Sequence, residues 1–397
     1  MLSQKYRGML GKASVIMELS AFAGARAREI GAENVFDFSL GNPSVPVPQA
    51  YNACVSGLLN SEPCRAVHGY SQGLGNLEAR TRIAASLNRR YGMNYEPDDL
   101  FMTAGAAGAL AHALRLVTQP GDEVLTIAPY FPEYRPYVEL AGCTLTVTPA
   151  CPDNFQIDFD ALERTMNPRV QAVLINTPNN PSGAVYSART MERLAHFLGE
   201  KERQYGHELW LISDEPYREI LFDDTPPVYP SRFYPRTLSC YSFSKSLSIP
   251  GDRIGYLAVN PACGESKTVT RMAAQISRGI GHDSAVTLVQ RAAAACCDMT
   301  ADFSVYRRNR DLLLKELTAL GFSIVRPEGT FYMFPRALED DAAEFCRKAM
   351  AYDLILVPGD TFGVADHFRI AYCMETEKVA RSLEAWRRFV RTEYAQG

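Results

Sequence analysis

The chain has 397 residues, too many for one ordinary core, so two domains are expected. Apolar residues make up 47% and charged residues 22%, with a net charge of −4, which is ordinary for a globular protein. There is no basic stripe for nucleic acid or an anionic membrane surface, and no apolar run of signal-peptide or membrane-spanning kind. The ten cysteines include no Cys-x-x-Cys pair and the six histidines have no metal-ligand spacing. The expectation is a cytoplasmic protein with reduced cysteines and no metal.

Residues 13–30 have helical periodicity, and Val35 to Leu40 read as a short strand. Gly41-Asn-Pro-Ser-Val-Pro-Val-Pro48 is a turn or extended loop, and its glycine lets backbone approach a ligand or simply turns the chain. A helix over 48–59 leads to His68-Gly-Tyr-Ser-Gln-Gly-Leu-Gly75, which is not a dinucleotide fingerprint because it lacks the third glycine and a preceding strand. Asn76 to Tyr91 predicts a basic amphipathic helix whose charges form a solvated face.

From residue 99 strand and helix alternate. Leu100–Thr103 is a strand, and 104–117 is a helix whose small-residue start suits either an anion or close packing. Strands follow at 122–128, 144–148, 170–176, 209–213 and 237–242, with a helix over 187–204. Near-continuous apolar strands separated by helices indicate a mostly parallel sheet covered on both faces. Such a sheet binds ligands beyond its strands' carboxyl ends. Gly105, Phe131, Asn180, Asp214 and Lys245 all fall just after strand ends and would gather along one edge. After about residue 280, helices at 284–298, 301–320, 341–351 and 375–392 alternate with strands at 322–325, 330–334, 354–357 and 367–372. The expected organisation is a large α/β domain over 46–280, with a mostly parallel seven-stranded sheet covered by helices, and a smaller α+β domain from 1–45 and 281–397.

The window Tyr241-Ser-Phe-Ser-Lys-Ser-Leu-Ser-Ile-Pro-Gly-Asp-Arg-Ile-Gly-Tyr256 carries the chemistry. A lysine among hydroxyls can lose its proton and attack a carbonyl, while the hydroxyls and Arg253 suit a phosphate. A serine-rich loop with a surface lysine would give the same letters. Together with the strand-end residues, the order and spacing from Asp37-Phe-Ser-Leu-Gly-Asn-Pro43 to Phe368-Arg-Ile-Ala-Tyr372 resemble the fold type I, class I/II aminotransferases that depend on pyridoxal 5'-phosphate.

The resemblance implies a role for each matching residue. Lys245 matches the Schiff-base lysine, Asp214 the partner of the pyridine nitrogen, and Tyr217 and Asn180 the groups that bond the ring oxygen. Ser242, Ser244 and Arg253, with the backbone of Gly105, Ala106 and Ala107, match the phosphate cup. Phe131 takes the place of the stacking aromatic. Tyr70 matches a tyrosine that crosses to the other subunit's phosphate, which implies a homodimer with shared sites. Arg369 matches the fork for the substrate α-carboxylate, with Gly41 beside it. The implied reaction is ping-pong exchange of an amino group between an amino acid and a 2-oxo acid.

Side-chain choice rests on less. Where some aspartate-type relatives place a lysine for the distal carboxylate, this chain has Ala107. Arg278 falls near where others present a distal-carboxylate arginine from the partner subunit; it either reads acidic side chains or bonds carbonyls at a helix end. A carbon–sulfur β-lyase would use the same residues. Ser242-Phe-Ser-Lys245 also fits a Ser-x-x-K acyl hydrolase, but the Ser-Asp-Asn and Lys-Thr-Gly tripeptides that should accompany it do not occur.

Overall fold

A computed structural model describes Leu2, Tyr6, Arg7 and residues 15–394. A helix runs Val15–Ile30, and positions 13 and 14 of the expected helix lie outside the described residues. It leads to the short strand Phe36–Asp37 (β1).

The expected seven-stranded, mostly parallel sheet is present. Its strands are Leu100–Thr103 (β2), Glu123–Ala128 (β3), Thr144–Pro149 (β4), Val170–Asn176 (β5), Trp210–Asp214 (β6), Thr237–Ser242 (β7) and Gly255–Val259 (β8). The order across the sheet is β2-β8-β7-β6-β5-β3-β4, and β8 alone runs against both its neighbours. The apolar runs follow from burial on two faces: along β3, Val124 joins one core with Leu110, Leu174 and Ile212, while Leu125 joins another with Val173, Leu194 and Leu198. The helix Ala188–Tyr205, capped by the Ser187 hydroxyl, covers the second face.

A separate core joins Phe36 and Phe38 to Leu313, Leu317, Phe345 and Trp386. Over it lie four short strands, Tyr332–Met333 (β9), Leu354–Ile355 (β10), Val357–Pro358 (β11) and Phe368–Ala371 (β12). β1 pairs with β10 in parallel, and β12 sits antiparallel between β11 and β9. The helix Thr287–Ala295 packs on Gln49–Ser61 and Leu77–Tyr91.

Two expectations need correction. Phe322–Val325 is not a strand; Phe322 instead wedges edge-on among Phe345, Phe368 and Trp386, with centroids 5.8 Å from each. The charges of Leu77–Tyr91 are not all solvated, because Arg80 is buried and bonds Asp98 at 2.7 Å and the Pro97 carbonyl. The seventh strand of the sheet, β8, was not located from sequence, and the helices Tyr134–Leu140, Phe159–Thr165 and Ser266–Gly279 were not expected. Among the described residues no helix is long and apolar enough to cross a membrane.

Candidate functional site

The carboxyl ends of β5, β6 and β7, the start of the helix Gly105–Val117 and the loop at Gly41 enclose a cavity of about 320 Å³. Lys245 enters it from the single helical turn Phe243–Ser246 that follows β7. Ser242 caps that turn by accepting the Ser244 N–H at 3.1 Å. The Lys245 Nζ donates to the Gly41 carbonyl at 2.7 Å. Burial lowers its pKa to about 8; the nearby Cys373 thiol opposes this, and Arg253 and Arg369 add to it.

Asp214 ends β6, in register with Asn176 at the end of β5, and the Asn176 amide donates to its backbone carbonyl at 2.8 Å. One carboxylate oxygen accepts the Tyr134 hydroxyl at 2.6 Å. The other, Oδ1, is buried with no partner among the described residues. Burial raises the Asp214 pKa to about 7, opposed by the Tyr134 hydrogen bond and helped by the neighbouring Glu215 charge. A lone buried carboxylate oxygen at a cavity wall calls for a cationic donor. A protonated ring nitrogen meets that need.

The opposite end of the cavity suits an anion. Gly105 starts its helix at φ +77°, a conformation that favours glycine, and this turn brings the free backbone of Ala106 and Ala107 to the cavity. Ser242, Ser244 and Arg253 line the same end. The Ser242 hydroxyl donates to Ser244 Oγ at 2.8 Å, and Arg253 reaches the Pro250 carbonyl at 2.9 Å. Phe131 is half-buried in the wall, with its ring edge-on to Tyr134 at 5.7 Å.

Arg369, on β12, closes another side of the cavity. It is fully enclosed, which lowers its pKa, and it donates to the Asn180 side-chain oxygen at 3.1 Å and to the Ser39 carbonyl. Its guanidinium stacks 4.7 Å from the Tyr332 ring and 5.0 Å from Phe362, and its Nε has no partner among the described residues. Such a fork can receive a carboxylate. The Asn180 backbone N–H is held by the Asn176 side chain at 2.6 Å. Tyr217 places its hydroxyl 3.1 Å from that of Tyr332.

Twelve of the predicted residues therefore line one cavity: Gly41, Ala106, Ala107, Phe131, Asn180, Asp214, Tyr217, Ser242, Ser244, Lys245, Arg253 and Arg369. Gly105 lies just behind them, where a Cβ would stand 3.1 Å from Arg253 Nη2. Tyr70 and Arg278 do not join them: Tyr70 is 96% exposed, and Arg278 is exposed in the last turn of Ser266–Gly279. Sequence reasoning missed Tyr134, Asn176 and Tyr332. Asn176 carried a signal, since it ends a strand as Asp214 does; the two tyrosines read as core aromatics. With Ser242 turned to Ser244 and Lys245 to Gly41, the hydroxyl–amine pair of an acyl hydrolase is not made. An amine of lowered basicity, a buried carboxylate with one oxygen left over, an anion cradle and a buried arginine together fit pyridoxal phosphate and an α-amino acid.

A family model described as aminotransferase class I and II matches residues 33–385. The chain is 30% identical over 401 residues to an aspartate/prephenate aminotransferase of Thermus thermophilus, covering 98% of each. It is 32% identical over 352 residues to a probable N-succinyldiaminopimelate aminotransferase of Mycobacterium tuberculosis, covering 84% of this chain and 81% of the relative. The solved structure of an aminotransferase from Eubacterium rectale superposes with a TM-score of 0.96 at 41% identity, over 99% of this chain and 100% of that one. The Thermus thermophilus aspartate aminotransferase with maleate superposes with a TM-score of 0.87 at 28% identity, over 98% and 99%.

Proposed function

This chain belongs to the class I and II aminotransferases, enzymes that use pyridoxal 5'-phosphate, and from that premise we propose that it exchanges an amino group between an L-α-amino acid and a 2-oxo acid at the cavity around Lys245. The observation that carries this reading is the pairing of a buried amine of lowered basicity with the unpartnered oxygen of Asp214.

When bound, the cofactor supplies an electron sink for a bond to the substrate α-carbon. Asp214 would hold its ring nitrogen, Tyr217 and Asn180 its ring oxygen, and Phe131 one face. Ser242, Ser244, Arg253 and the backbone at Gly105, Ala106 and Ala107 would hold its phosphate. Arg369 takes the α-carboxylate and so aims the α-proton at Lys245. With a pKa near 8, the Lys245 Nζ is partly unprotonated at neutral pH and can accept that proton and give it back. The amino acid and the oxo acid share the α-carboxylate, so one arginine serves both halves of the exchange.

The finer reading is an acidic donor in a homodimer, with Tyr70 of one protomer reaching its partner's phosphate site and Arg278 its partner's side-chain pocket. The exposure of both residues supports it, as do relatives named for aspartate.

The test is spectral. Amino acids added singly to the holoenzyme should bleach its violet absorbance, and a 2-oxo acid should restore it. Arg278→Ala should raise KM for aspartate about tenfold or more and leave alanine unchanged. Borohydride reduction and peptide mapping should place the pyridoxyl mass on Lys245. A label elsewhere, or release of pyruvate from cysteine conjugates without an oxo acid and no bleaching by any donor, would overturn the reading.

A further inference from the structure

We infer that Tyr332 is a positioning residue for this site: its hydroxyl sets the Tyr217 hydroxyl, and its ring sets the Arg369 guanidinium. The inference rests on the reading above, in which Tyr217 meets the cofactor and Arg369 the substrate.

The side chain is held from several directions. Tyr332 begins β9 and is buried, in register with Ala371, two residues along β12 from Arg369. The residue before Phe331, Thr330, sits at φ +64° and accepts the Tyr332 N–H on its hydroxyl at 3.1 Å. Gly329 packs so closely that a Cβ there would stand 2.7 Å from the Ile220 carbonyl. This backbone has little room to shift, so the ring has a fixed origin.

What the ring touches is the machinery. Its hydroxyl lies 3.1 Å from the Tyr217 hydroxyl, and the two rings meet edge to face at 5.6 Å. With Tyr332 as donor, the Tyr217 proton is free to point into the cavity, and the bond strengthens its donation there. Its face lies 4.7 Å from the Arg369 guanidinium, a contact that orients a buried planar cation. Its hydroxyl also fills the space a side chain at position 41 would need, and the Gly41 carbonyl holds Lys245. The charged and titratable groups around it are Arg369, Cys373 and Tyr217. One phenol thus touches the ring-oxygen donor, the carboxylate fork and the loop that seats the lysine.

Two substitutions separate the hydroxyl from the ring. In the Tyr332→Phe holoenzyme, the pH midpoint of the bound cofactor's absorbance change should rise by about 0.5–1 unit, the size of one lost hydrogen bond. In a Tyr217→Phe background the same substitution should add less than about 0.2 unit, because the two hydroxyls act as one. Tyr332→Leu should raise KM for donor and acceptor alike by about 3- to 20-fold and lower kcat less than KM rises. Tyr186→Phe, a buried tyrosine in a separate core, should change neither, and Tm should confirm that each variant is folded. A wild-type midpoint in Tyr332→Phe, an undiminished shift in the Tyr217→Phe background, or unchanged KM values in Tyr332→Leu would each overturn the inference. Should Tyr332→Leu not fold, the near-isosteric Tyr332→Phe still decides the claim. Failure of the aminotransferase reading has a different signature: the wild-type holoenzyme would exchange no amino group with any donor.

Discussion

Asp214 shows how one residue can be costly to the fold and useful to the site. Its pKa is raised by burial to about 7, so between about pH 4 and pH 7 the folded cofactor-free protein binds more protons than the unfolded chain. Stability of that form should therefore fall as pH rises through this window. Asp214→Asn removes the liability: the cofactor-free variant should gain about 2–4 kcal/mol at pH 8 and nothing at pH 4, read by Tm against pH. Bound cofactor reverses the order, because the carboxylate then has a cation to meet. Single-turnover amino transfer should fall about 10²–10³-fold in Asp214→Asn. Asp214 and Lys245 were legible in the sequence because each is an ionisable residue just past an apolar strand, where a buried charge needs a reason. Tyr134 and Tyr332 were not legible. Nothing in their neighbours says that one hydroxyl faces Asp214 at 2.6 Å and the other faces Tyr217 at 3.1 Å. A tyrosine in an apolar stretch is ordinary core until its oxygen is located.

Elements carry the site through their ends. The helix Gly105–Val117 can start against β8 only because both touching residues lack side chains; a Cβ on Gly255 would stand 2.9 Å from Gly105 Cα. Gly105→Ala should cost about 1–2 kcal/mol for the left-handed backbone. It should also displace Arg253, so the variant should lose cofactor affinity about tenfold or more, measured by equilibrium dialysis, with turnover at saturating cofactor less affected. A second joint lies beside the core that holds Phe222 and Leu313, where Asp223 at φ +53° bonds the buried Arg310 at 3.0 Å and Arg326 at 2.9 Å. Arg310 foremost, then Arg326, holds the Asp223 carboxyl below the usual carboxylate range. That contribution is present above about pH 4 and is lost as pH falls through the folded-state value. Asp223→Asn should cost about 1–2 kcal/mol in urea at pH 7, allowing for the carboxylate's partial exposure, and less in acid. Strands such as Leu100–Thr103, Val170–Asn176 and Thr237–Ser242 could be bounded from sequence because burial on both faces leaves a run of apolar and small, hydroxyl or amide residues with no charge. β8 was hidden because it follows the Arg253 loop directly and pairs antiparallel within an otherwise parallel pattern. Phe322 misled because an apolar residue without a pairing strand still reads as one.

At the scale of the whole molecule, the proposed second copy has a definite task. Tyr70 stands 96% exposed, and Leu77, Met272, Ile280 and Val286 are also exposed apolar residues. If Tyr70 of each protomer completes its partner's phosphate site, the two functions can be separated on different chains. Tyr70→Ala should weaken cofactor binding, and Lys245→Ala should abolish amino transfer. In a heterodimer of the two, the site that keeps its own Lys245 receives an intact Tyr70 from its partner. Its other site lacks both. Random reassortment places about half the chains in heterodimers with one whole site each, so the mixture should recover about a quarter of wild-type activity. Unmixed variants cannot do this. A mixture no more active than the average of its parents, with exchange of subunits verified by sedimentation of a tagged chain, would show that Tyr70 does not cross. Recovery to about a quarter, together with cofactor release kinetics that slow on mixing, would establish that each active site is assembled from two chains.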